Sequence, residues 1–174
     1  RHRRDAVDEL RLANRLHLRW AIGAIHRAAF EIDRGRDIVA RAGVFQQLVE
    51  HHVDILFANE SEIMALYQTR SFEDASRQAK SDAKIAVLTR SAKGSVIFKG
   101  DKAASVPAAP IRHVEDTTGA GDLYAAGFLF GYTQGFGNAR SAQLGSLAAA
   151  EVISHVGARP EVNLRAHAKE AGLL

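Results

Sequence analysis

Two short apolar runs, VDILFA at 53–58 and KIAVLTR at 84–90, constrain this chain more than any other feature. Each has the length of a strand, is rich in β-branched residues, and reads as a strand buried inside a sheet. Between them lie segments with helical spacing. In NESEIMALYQ, Asn59 or Ser61 can cap a helix whose inner face is Ile63, Leu66 and Tyr67, and a second short helix is predicted over 72–80. Downstream, GSVIFKG (94–100) and KAASVP (102–107) read as a hairpin around Gly100 and Asp101. Residues 105–110 are a loop or an edge strand, because their prolines cannot donate to a ladder. Three helices are predicted to follow, over 121–134, 139–155 and 161–170. Strands alternating with helices imply a layered α/β fold.

Upstream of residue 53 the spacing predicts helix instead. Leu10, Leu12, Leu16, Trp20, Ile22, Ile25 and Phe30 recur at steps of three and four over 5–30. A weaker helix is expected over 37–51, with Val44, Phe45, Leu48 and Val49 as its apolar side. Charge is uneven along the chain: residues 1–41 hold ten Arg against six Asp and Glu, so the net +3 belongs to this segment. Arginines interspersed with acids describe a solvated helix surface, and no base-reading motif accompanies them, so no nucleic-acid partner is expected. A chain of 174 residues, 47% hydrophobic and 25% charged, has room for one domain with a buried core. No apolar run approaches the roughly 18 residues of a membrane span, and no secretory leader is expected. The lack of cysteine excludes disulfides and thiolate metal sites and leads us to expect a cytoplasmic protein. The eight histidines, His51 and His52 included, have no metal-ligand spacing and read as surface or helix-end groups.

The densest chemistry lies in DTTGAGD, residues 116–122, at the mouth of the apolar helical run LYAAGFLFGY. The first amides of a helix have no intrahelical partner, and aligned peptide dipoles place about half a positive charge there. Gly119, Ala120 and Gly121 leave that end open to the close approach of an anion. Asp122 follows on the first turn. A resting phosphate would be repelled by it, but an attacking hydroxyl needs a carboxylate to take its proton while amides hold the developing charge. Alternatively Asp122 only complements the helix dipole, worth about 0.3–1 kcal/mol.

DTTGAGD followed by LYAAGFLFG closely resembles the C-terminal signature of the ribokinase-like (PfkB) carbohydrate and nucleoside kinases. The resemblance implies that Asp122 is the catalytic base and that Gly119, Ala120 and Gly121 form the anion hole. In members that use a monovalent cation such as K⁺, it implies that Asp116 and Thr118 help to hold it. FANESE resembles the family's Asn-x-x-Glu element, giving Asn59 and Glu62 a place near Mg²⁺ and the phosphates through water. VLTRSAKGSV resembles the turn that lines the nucleotide, through Thr89, Ser91 and Gly94. HVGARP resembles the late loop in which Gly157 and Ala158 flank the nucleotide or cation site. Each of these three also has an ordinary reading, as helix cap, hairpin approach and helix stop.

What the resemblance implies as a whole is the C-terminal part of a three-layer α/β/α ribokinase-like fold, with an Arg-rich helical segment at 1–43 in place of the usual first half. The family member implied is nearly twice this length, and residues 44–174 would be its nucleotide-binding portion. The change of character before FQQLVEHHVDILFANE is what a truncated or frame-disrupted gene would give. The expected activity is ATP-dependent, Mg²⁺-assisted phosphoryl transfer to a hydroxymethyl group of a sugar or nucleoside, in the manner of adenosine and sugar kinases. The alternative is a non-catalytic nucleotide-binding remnant. A homo-oligomer is an expected association, since strands without neighbours favour it.

Overall fold

The computed structural model describes residues 20–22 and 37–174, and the side chains from residue 42 onward. Among these residues a five-stranded sheet runs in the order β1-β2-β3-β4-β5. Its strands are β1 (Trp20–Ile22), β2 (Ile55–Asn59), β3 (Ile85–Thr89), β4 (Ser95–Lys99) and β5 (Lys102–Val106). The first three are mutually parallel, and β4 and β5 are added antiparallel through the turn at Gly100 and Asp101. Helices α1 (Asp37–His52), α2 (Glu60–Leu66) and α3 (Phe72–Asp82) supply the parallel connections. Helices α4 (Ala120–Thr133), α5 (Asn138–Val152) and α6 (Leu164–Glu170) follow the hairpin.

Strand periodicity divides the core into two. Leu56, Ala58, Ala86 and Leu88 face Val49 of α1, Ile63 and Leu66 of α2, and Phe72, Ala75 and Ala79 of α3. Their neighbours Ile55, Phe57, Ile85 and Val87 turn the other way, onto Tyr124, Ala125 and Phe128 of α4 and Ala142 of α5. Both faces are therefore covered, and the runs that read as unbroken apolar strands do so because each side needs its own apolar set. Full burial of side chains such as Ile55, Leu88 and Phe128 contributes about 1.5–3 kcal/mol each. The result is the three-layer α/β/α arrangement expected.

Two readings of the N-terminal region are corrected. Trp20–Ile22 is a strand paired with β2, in the register Trp20↔Ile55, and not part of a helix. A strand therefore precedes residue 44, where the spacing had indicated none. Three residues are too short to show a period, and the sheet edge offered by β2 outweighs their local spacing. The rest of the helix predicted over 5–30, the Leu12-Leu16-Trp20 stripe and most of the Arg-rich segment lie outside the described residues. In α1 the inner face is Ala42, Phe45 and Val49, while Val44 and Leu48 are exposed. The helix is rotated so that Gln46 also faces inward, where its Nε2 donates to the Leu66 carbonyl at 2.7 Å.

Helices α4 and α5 meet backbone to backbone. A methyl group at Gly127 would lie 2.6 Å from the Leu144 carbonyl oxygen, and one at Gly145 would lie 2.5 Å from that of Tyr124. Glycine at both positions is what permits the approach.

Candidate active site

The ends of the parallel strands gather most of the motif residues. Asn59 and Thr89 close β2 and β3 as register partners, and Thr89 faces Ser95, the first residue of β4. Tyr124, in the second turn of α4, donates its hydroxyl to Ser95 Oγ at 2.6 Å in a buried contact. The N-terminus of α4 is thereby fixed at the same end of the sheet as Asn59 and Thr89. Ligands of open α/β sheets bind beyond the carboxyl ends of the strands, so this is the side where a site belongs.

Gly119 is the N-cap of α4 in the left-handed conformation, φ 81°, and no side chain caps this helix end. Asp122 is exposed on the first turn. The loop carrying Gly157 and Ala158 forms the wall beside them: a methyl group on Gly119 would meet the Ala158 Cβ at 2.8 Å. Asp116 fastens this wall. Its Oδ1 accepts the Thr118 N–H at 2.9 Å and its Oδ2 accepts the Gly157 N–H at 3.0 Å. A backbone bond from Glu115 N–H to the Ile153 carbonyl, 2.8 Å, runs alongside. Hydrogen bonding by the Thr118 side chain, then by the Gly157 and Thr118 amides, lowers the Asp116 pKa to about 2. A carboxylate so firmly ionised suits cation ligation, although one of its oxygens closes its own turn at Thr118 and the other joins the loop at Gly157.

Asn59 and Glu62 form a reciprocal cap. Asn59 Oδ1 accepts the Glu62 N–H at 2.9 Å, and Glu62 Oε2 accepts the Asn59 N–H at 2.7 Å. Ser61 also donates to Asn59 Oδ1, at 2.7 Å. Both candidate phosphate-side residues thus have a structural task at the start of α2. In the third motif, Ser91 adopts φ 51°, unusual for a residue with a side chain, at the start of a 3₁₀ turn over Ser91–Lys93. Gly94 follows at φ 84° and backs onto the Val106 carbonyl, where a side chain could not stand. Its need for glycine comes from packing against β5.

Several residues that spacing did not single out organise this end of the sheet. Arg90 reaches both oxygens of Glu60, Nη2 to Oε1 at 3.1 Å and Nε to Oε2 at 3.3 Å, while its guanidinium lies 3.8 Å from the centre of the Phe72 ring. The pair joins the start of α2 to the turn after β3, and the Arg90 hydrogen bond holds the Glu60 pKa below its ordinary value. His155, read from the sequence as a surface or helix-end group, lies three residues past the end of α5 and is largely buried, with Nε2 3.3 Å from Glu151 Oε1. Burial alone would lower its pKa, but the Val156 carbonyl and the carboxylates of Glu161 and Glu151 outweigh this and raise it. The Glu151 and His155 spacing of four was the available signal. Among the described residues no group of three or more His, Cys, Asp or Glu could hold a metal by itself, and no helix is long and apolar enough to cross a membrane. A shallow polar hollow bordered by Asp74, Arg77 and Ser81 belongs to the outer face of α3 and includes none of the motif residues.

Known proteins resemble this chain in sequence and fold. The chain is 48% identical to a probable sugar kinase from Rhizobium etli, with a TM-score of 0.76 over 79% of this chain and 42% of that one. For the adenosine kinase of Sinorhizobium meliloti the values are 44%, 0.74, 77% and 41%. The Arabidopsis thaliana ribokinase, solved with ribose and ATP, gives 29% identity and a TM-score of 0.58 over 65% of this chain and 38% of that one. In sequence the chain is 32% identical over 153 residues to a cytidine kinase from Thermococcus kodakarensis, covering 86% of this chain and 52% of that protein. It spans about half the length of the curated relatives it matches. A family model described as pfkB family carbohydrate kinase matches residues 25–164, so the match takes in residues 25–43 as well as the four motifs. With the motifs in order over residues 57–160 and the layered sheet beneath them, this chain belongs to the pfkB family of carbohydrate kinases.

Proposed function

We propose that this chain carries the nucleotide-binding and proton-accepting part of an ATP-dependent kinase acting on a hydroxymethyl group of a sugar or nucleoside. The observation that carries the reading is the α4 N-terminus: an end with no side-chain cap, opened by Gly119 and walled by Ala158, with exposed Asp122 on its first turn. An acceptor hydroxyl at this end would give its proton to Asp122. The amides of α4 would hold the negative charge that develops on the transferring group. The relatives that support a sugar or nucleoside acceptor are named as sugar, adenosine and cytidine kinases, and the Arabidopsis ribokinase was solved with ATP.

Thr89, Ser91 and Gly94 on one side, and Gly157 and Ala158 on the other, are the residues we assign to the nucleotide. Bound Mg²⁺ would neutralise phosphate charge. In this chain Glu62 would serve it through water, using carboxylate capacity left by the Asn59 N–H. A monovalent cation would draw on Asp116, whose ionised state suits it, and Thr118. We place the enzyme in the cytoplasm, where ATP is supplied.

The test is calorimetric titration with Mg-ATP beside a turnover assay over ribose-type sugars, adenosine and cytidine. Binding with turnover is the expected result. Binding without turnover on any acceptor would replace the kinase reading with that of a nucleotide-binding remnant.

A further inference from the structure

Glu151 stands one residue before the end of α5, where the helix dipole disfavours an acid. Its side chain is nevertheless only 7% exposed. A buried carboxylate at the negative end of a helix requires specific partners. Those partners lie in the next loop. Glu151 Oε1 accepts the N–H of Glu161 at 2.9 Å and that of Val162 at 3.3 Å, and lies 3.3 Å from His155 Nε2. Its Oε2 is buried without a hydrogen-bond partner among the described residues, so all its bonding capacity in use is directed at this one stretch.

The residues around Glu151 Oε1 bracket Gly157 and Ala158. His155 lies just before them, and Glu161 and Val162 just after. The segment between projects onto the head of α4, with Gly157 N–H on Asp116 and Ala158 against Gly119. Val156 and Arg159 beside it are exposed. Asp116 holds the loop at its crest, and Glu151 holds the far foot through two amides, with His155 within ion-pair distance at the near foot.

We propose that Glu151 is a positioning residue, which fixes the loop bearing Gly157 and Ala158 against the α4 N-terminus by accepting the amides of Glu161 and Val162. It touches no reacting group and acts only through the loop. The consequence for catalysis rests on the kinase reading above, while the anchoring itself does not.

The first measurement uses the unaltered chain. Hydrogen exchange should show the Glu161 and Val162 amides protected although both residues are exposed, and exchange at open-loop rates would overturn the proposal. The second compares Glu151→Ala with Glu151→Gln, which keeps an oxygen acceptor. The alanine variant should lose that protection and raise KM for ATP about tenfold, the order of one hydrogen bond to a charged group, with kcat changed by less than about twofold. The glutamine variant should keep protection and KM near those of the unaltered chain. An alanine variant with unchanged protection, or a glutamine variant as impaired as the alanine one, overturns the proposal. Selective loss of protection in a chain without turnover supports the anchor and sinks the kinase reading alone.

Discussion

Two helices begin at the same end of the sheet and treat their free amides in opposite ways. At α2, Asn59 and Glu62 satisfy each other's backbone, and the helix end is closed by its own side chains. At α4, Gly119 contributes no side chain and the first turn remains open beside an acid. The open end is not distinctive by itself, since α5 also starts from a glycine, Gly137, without a side-chain cap. What separates α4 is its surroundings: Asp122 on the first turn, Ala158 as a wall, and Asp116 tying the wall in place. A helix end becomes a candidate site through what is assembled around it.

The contrast can be broken at four points. Asp122→Asn removes the proton acceptor without disturbing the amides, so turnover should fall by about 10²–10⁴-fold while Mg-ATP affinity in calorimetry is retained. Turnover that survives would leave Asp122 as a dipole partner only. Gly119→Ala should cost about 1–2 kcal/mol for the left-handed backbone alone, read as a lower urea midpoint, with turnover reduced as Ala158 is pushed away. At the closed end, Asn59→Ala should cost about 1 kcal/mol in the same urea experiment, and Asn59→Asp much less, because aspartate caps equally well. Glu62→Gln keeps the reciprocal cap, so a drop in turnover confined to limiting Mg²⁺ would show that this end also serves the metal.

The smallest effect concerns pH. Because the folded pKa of Asp116, about 2, lies below its ordinary value, its ionised form stabilises the folded chain above that ordinary value. That stability is lost as pH falls from about 4 through about 2. Urea midpoints at neutral pH should therefore be lower for Asp116→Asn than for the unaltered chain, and the two should converge in that acid window. A constant gap down to the bottom of the window would assign the loss to packing.

The parts of the fold that could be read in advance share a physical cause. Strands β2 and β3 carry apolar side chains on both faces, and α2 and α3 begin with residues whose side chains cap. Such signals are local and survive in a linear text. Strand β1 was missed because three residues carry no period, and its identity comes from the edge of β2. The contact of Gly127 with Gly145 was equally silent, since glycine has no hydropathy to mark it as core. In the candidate site, the heptapeptide pointed to Asp122 and the glycines. The bonds from Asp116 to Gly157 and from Glu151 to Val162 join positions separated in sequence, and spacing alone does not reveal which amide meets which carboxylate.

The glycine contact between α4 and α5 also has a mechanical meaning. With two backbones touching, neither helix can slide or roll past the other without a carbonyl colliding with a Cα. Tyr124, pinned by Ser95, removes the remaining freedom of rotation. The amide end of α4 is therefore a fixed datum against which everything else must be brought into line. Under the kinase reading, any approach between donor and acceptor would have to be made by the parts that travel, because the anvil on which the phosphate would rest does not give.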